Sequence, residues 1–99
     1  MQSMTFHDFN LSLGEATPPQ MPPLLTAMWW DARGDWSRAH EIAQDITAID
    51  GSRVHAYLHR KEGDSGNAGY WYHRAGHSPS RLPLEEEWSE IVQSLLANP

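Results

Sequence analysis

His55 and His59 stand four residues apart, the spacing that places two imidazoles one above the other on a single helix face. A third histidine, His40, precedes them on the neighbouring segment, and Asn67 follows them just after Gly63-Asp64. These residue types support three kinds of chemistry. Packed together, they form a buried hydrogen-bonded network in which imidazoles satisfy one another and Asn67. Left open, with Arg60, Lys61 or Arg74 at the rim, they bind an anionic or peptide ligand. With their nitrogens converging, they hold a metal ion, since two histidines at this spacing plus a third ligand such as His40 suit zinc. The metal signature is incomplete, because Ala56 stands where the helical zinc motif has glutamate, and His40-Glu41 lacks the second histidine that motif needs. The identity of any metal therefore stays open.

Other catalytic arrangements are missing from the sequence. There is no cysteine, and Ser37, Ser52, Ser65 and Ser78 fall at helix starts or loops, where capping explains them. Gly63-Asp64-Ser65-Gly66 lacks the lysine of a phosphate-binding loop. No catalytic residue is assigned and no cofactor is expected. The candidate ligand-binding set is His40, His55, His59, Asn67, Arg74 and Tyr70.

The elements that must position this set follow from punctuation and periodicity. Pro22 and Pro23 suit the first turn of a helix, which runs to about Arg33 with Leu24, Leu25, Met28, Trp29 and Ala32 as its apolar stripe. Gly34 stops it, and Asp35 caps a second helix carrying Trp36, Ala39, Ile42, Ala43, Ile46 and Ile49. Asp50-Gly51-Ser52 reads as a stop followed by a new cap, with a third helix over Arg53 to Glu62. Gly63-Asp64 turns the chain into a fourth helix ending near Ala75. Residues 76 to 83 contain Pro79 and Pro83 and read as a loop. A fifth helix carries Trp88, Ile91, Val92, Leu95 and Leu96 on one face. No strand pattern of useful length occurs. Residues 1–21, with little periodic apolar spacing and a proline run, read as a flexible arm, leaving 22–99 as a single helical domain.

The expected architecture is all-α: two antiparallel helical hairpins and a closing helix over the apolar edge of the second. Short linkers make successive helices neighbours, which brings His40 near the level of His59. Tyr70, Trp71 and Tyr72 point in three directions about 100° apart on a helix, so Tyr72 packs, Trp71 divides between core and edge, and Tyr70 turns outward. Of Trp29 and Trp30, one must likewise face away from the partner helix.

The net charge of −6 is concentrated at the ends, while residues 22–84 carry equal numbers of acids and bases. Glu85, Glu86 and Glu87 fall in the first turn of the last helix, where they complement its dipole. No Lys/Arg stripe is present to neutralise phosphates, so nucleic acid is not an expected partner. No Lys or Arg precedes Arg33, and no apolar run approaches the ~18 residues of a membrane span. A cytoplasmic location without membrane contact is the expectation.

The two hairpins repeat a pattern. Ala56-x2-His59-x3-Gly63-Asp64-x3-Ala68-x3-Tyr72-x2-Ala75 has a fainter copy 29 residues upstream, Ala27-x2-Trp30-x3-Gly34-Asp35-x3-Ala39-x3-Ala43-x2-Ile46. This spacing resembles the tetratricopeptide repeat and its Sel1-like relatives, with His59 where that family usually has tyrosine and Ala43 and Ile46 departing from it. The string Val-His-Ala-Tyr-Leu-His-Arg-Lys-Glu-Gly-Asp with the following Tyr-Trp-Tyr is also similar to a group of small uncharacterised proteins. The resemblance implies a module that binds a protein or peptide partner, with a homodimer as one form of that association. The competing expectation is a metal- or ligand-dependent enzyme centred on His40, His55 and His59.

Overall fold

The structure is a computed structural model and describes residues 4–97. Its regular elements are all helices: α1 (Phe6–Ser12), α2 (Pro23–Ala32), α3 (Trp36–Gln44), α4 (Ile49–Glu62), α5 (Ser65–Arg74) and α6 (Leu84–Ala97). The all-α class holds. Among the described residues no helix is long and apolar enough to cross a membrane.

The two repeated turns work alike. Gly34 and Gly63 take φ of 85° and 92°, a left-handed conformation that strains any residue with a Cβ. The aspartate after each caps the next helix, Asp35 accepting from the Arg38 amide and Asp64 from the Asn67 amide. Small residues line the contacts so made: Ala27, Ala39 and Ala56 are completely buried and Ala68 nearly so. α2 packs on α3, α4 on α5, and α3 on α4 joins the pairs. Ala39→Leu should therefore lower stability by about 1–3 kcal/mol through overpacking. A urea midpoint equal to the parent's would show a loose contact.

The junction between the pairs differs from the expected one. α3 ends at Gln44, and α4 already begins at Ile49, so Asp50, Gly51 and Ser52 lie inside its first turns. Ile49 is not the last member of the α3 stripe but is 67% exposed. Gly51 is buried against Ile46 rather than ending a helix.

Residues expected as a flexible arm carry α1 in their described part. Thr5 and Asp8 form a reciprocal capping box, each side chain accepting from the other's amide. Phe9 is completely buried, and both Phe6 and Phe9 lie against the Trp88 ring. Ser12 Oγ accepts from Trp29 Nε1 at 3.1 Å and donates to the Phe9 carbonyl at 2.6 Å. Arg33 donates to the carbonyls of Leu13 and Glu15. A seven-residue helix with two inward aromatics is too short to leave a periodic signal, so these tertiary bonds are what reveal it. Ser12→Ala should cost about 1–3 kcal/mol, because the buried Trp29 indole N–H loses its acceptor. Asn10→Ala, which removes only an exposed bond to the Phe6 carbonyl, is the control. Equal midpoints for the two variants would mean that α1 is not held.

α6 packs on α2 and α4, with α1 against it. It thus spans the first helices of both pairs instead of closing the edge of the second alone. Trp88 Nε1 donates to the Met28 carbonyl at 3.2 Å. Glu85 and Glu86 are exposed as a dipole-complementing pair would be, but Glu87 is completely buried. Its carboxylate accepts from Arg53 at 2.5 Å, Arg60 at 2.6 Å and the Tyr72 hydroxyl at 2.5 Å. Burial first, and then the bond to Glu87, pushes the Tyr72 phenol up to about 12. Asp31 forms a second buried cluster, accepting from the Tyr57 hydroxyl and from Lys61 Nζ, each at 2.9 Å.

Candidate functional site

Three histidines meet where α3 crosses α4. His55 and His59 project from one face of α4 and are 6% and 7% exposed, while His40 comes from α3 and is half-buried. The tight Gly34-Asp35 turn and the α3–α4 packing bring His40 Nε2 to 3.0 Å from His55 Nε2. Ring centroids are 4.7 Å apart for His55 and His59, and 5.1 Å for His40 and His59. One nitrogen from each ring can be chosen so that all three lie within 4.8 Å of one another.

Two tryptophans hold the rings in place. Trp36 stacks on His40 with centroids 4.8 Å apart and planes 11° apart, and its own Nε1 donates to the Leu58 carbonyl at 2.8 Å. Trp71 stacks on His55 at 4.0 Å and 22°. On the far side, His59 Nδ1 faces the Glu62 carboxylate at 2.6 Å. Sequence reasoning missed Glu62, although its position three residues after His59 puts the two on one helix face.

Other members of the expected set fall elsewhere. Asn67 is exposed, its amide serves the Asp64 cap, and no hydrogen bond among the described residues ties its side chain to the histidines. The histidine-facing place on α5 belongs to Trp71, one turn further on. Arg60 and Lys61, expected at the rim, serve the clusters at Glu87 and Asp31. Tyr70 is 55% exposed, meets Trp71 edge-on at 5.1 Å, and joins the histidines only through it. The Arg74 guanidinium lies 6.0 Å from the Tyr70 ring centre and 5.7 Å from that of Trp71. Tyr72 is buried and Trp71 half-buried, as the three-way division on the helix predicts.

Burial sets the protonation of the cluster. The His55 imidazole is pushed down to about 4, first by burial and then by repulsion from His40 and His59. His40 is also lowered by burial and then by His59, against the opposing pull of Glu62 and Glu41. An unfolded histidine titrates near 6.5. Below that pH the unfolded chain takes up a proton that folded His55 refuses, so this stability is complete above about 6.5 and declines as pH falls toward 4. Denaturation midpoints between pH 7.5 and 5, in chelator-treated buffer, should therefore drop for the parent and drop less for His55→Gln. Parallel slopes would mean that His55 takes up its proton as readily in the fold as in the unfolded chain.

Comparison with family models, with curated proteins and with solved structures returns no match.

Proposed function

We infer that the chain is a small helical interaction module that takes a carboxylate-bearing segment of a protein or peptide partner on the outer face of α5. The observation that supports this reading is the state of Arg74. Arg53, Arg60 and Lys61 are each engaged by buried carboxylates, whereas Arg74 rests on the rings of Tyr70 and Trp71 and pairs with no carboxylate among the described residues. A guanidinium laid on aromatic rings keeps its forked N–H donors free for bidentate recognition of a carboxylate. Exposed Tyr70 and half-buried Trp71 supply the aromatic anchors that carry much of the energy in such contacts. The backbone of α5 lies against α4 alone among the described helices, and Tyr70, His73 and Arg74 on it are exposed. In this reading Arg74 and Tyr70 recognise the ligand and Trp71 links them to the histidines.

The test is selection from a displayed library of random peptides, repeated with Arg74→Glu and Tyr70→Ala. The parent should enrich peptides rich in Asp and Glu, and each variant should weaken binding of the enriched peptides at least tenfold at unchanged thermal stability. Enrichment insensitive to Arg74→Glu would overturn the reading. Exposed Glu85 and Glu86 give a second copy of the chain the same carboxylate chemistry. Sedimentation velocity over a range of concentrations separates a homodimer, with Arg74→Glu shifting it to monomer, from binding of a different partner.

A further inference from the structure

We propose that His40, His55 and His59 form a binding site for a divalent transition-metal ion of the zinc class, with Glu62 as the carboxylate that orients His59. Three imidazole nitrogens converge from two helices to within 4.8 Å of one another. A tetrahedral zinc with bonds of 2.0–2.1 Å holds its nitrogens about 3.3 Å apart. The His40 and His55 nitrogens already stand at 3.0 Å, so small side-chain rotations are enough to admit the ion.

The surroundings fit a ligand set better than a closed hydrogen-bond network. The network reading uses the His40–His55 contact and the His59–Glu62 contact, which leaves the second nitrogen of His59 without a hydrogen-bond partner among the described residues. Among the described residues no buried side-chain nitrogen lacks a partner, so that nitrogen is reached by solvent. That nitrogen is therefore not sealed off, and water can complete the coordination of an ion held there. The contact of His59 Nδ1 with Glu62 at 2.6 Å is the carboxylate–histidine arrangement that fixes a ring with its Nε2 turned to a metal. Trp36 and Trp71 stack on the other two rings and lock their planes. Three imidazoles favour zinc, copper, nickel or cobalt over magnesium or calcium, which take oxygen ligands. Because α3 and α4 belong to different hairpins, the ion would clasp one hairpin to the other.

Chelator-stripped protein titrated with zinc sulfate in a calorimeter should bind one equivalent with micromolar or tighter Kd, and its melting temperature should rise. Cobalt in place of zinc should give the strong visible bands of a tetrahedral site. His40→Gln, whose side chain is half-exposed and whose folding is checked by circular dichroism, should weaken zinc at least 100-fold, as should His59→Gln. Glu62→Gln should weaken it by about 10–100-fold without changing the stoichiometry. Arg74→Glu should bind zinc like the parent, which keeps this result separate from the peptide selection. Absence of saturable binding up to 100 µM zinc would overturn the proposal. So would one-equivalent binding that survives His40→Gln but is lost in Asp64→Asn, because that would place the ion on His59 with the exposed Glu62 and Asp64.

Discussion

Glu87→Ala should cost about 3–5 kcal/mol, the loss expected when one partner of a buried ion pair is removed. That is a large part of the ~5–15 kcal/mol that holds a domain together. The carboxylate is completely buried and joins three helices, accepting from Arg53 and Arg60 of α4 and from Tyr72 of α5. Without it, two guanidiniums with side chains 13% and 26% exposed lose their buried partner, Arg53 keeping Glu90 and Arg60 keeping only the Leu82 carbonyl. The Tyr72 hydroxyl, already held in its neutral form by burial, loses its acceptor as well. Glu87→Gln keeps the shape yet should still be strongly destabilised, since an amide cannot neutralise two arginines. Glu86→Ala, one residue away and exposed, should stay within about 0.5 kcal/mol of the parent. Urea unfolding followed by tryptophan fluorescence measures all three. A Glu87→Ala midpoint close to that of Glu86→Ala would mean that the arginines rehydrate freely and that the cluster is not a tie between helices.

Gly51→Ala should also be severe, by at least ~2–3 kcal/mol through overpacking. Helix propensity alone predicts the opposite sign, since alanine in a helix is better than glycine by about 1 kcal/mol. Packing decides. A Cβ at position 51 would sit 1.9 Å from the Ile46 carbonyl oxygen, 2.8 Å from its carbon and 2.7 Å from Cγ2 of the same residue. The nearest of these atoms is backbone, so relief requires the 45–48 turn to move and, with it, the seat of α3 on α4. Gly69→Ala provides the contrast, because a Cβ there meets nothing within 4 Å and the propensity gain of up to ~1 kcal/mol should appear. If both glycine variants shift the melting temperature in the same direction, close approach at Gly51 is not what selects that residue.

These two residues also mark what could and could not be read from the chain alone. Gly34-Asp35 and Gly63-Asp64 were legible because a left-handed turn needs glycine and the following amides need an acceptor, both local demands. Asp50-Gly51-Ser52 carries the same residue types, but there the constraint comes from the Ile46 carbonyl, which no local pattern displays. Three consecutive glutamates look alike in sequence. Only the placement of Arg53 and Arg60 on α4 tells that Glu87, unlike Glu85 and Glu86, is inside. For the site, the i,i+4 spacing brought His55 and His59 together, and the short linker between α3 and α4 added His40. The assignment failed by one turn on α5, where Trp71 takes the place expected for Asn67. A register error of that size is invisible when both candidates lie on the same helix face. α1 escaped because its reason for being ordered, the meeting of Phe9 with Trp88 and of Ser12 with Trp29, lies in residues distant along the chain.

The one-sided seating of α5 sets an order of opening. Its backbone leans on α4 alone, while α4 is gripped by α2, α3 and α6 as well. Native-state hydrogen exchange should therefore find the α5 amides at a lower protection free energy than those of α4, as a separate cooperative unit. The Tyr72–Glu87 bond is the latch of that unit. Opening of the unit would lift Trp71 from His55 and uncover the imidazoles to solvent for the lifetime of the open state.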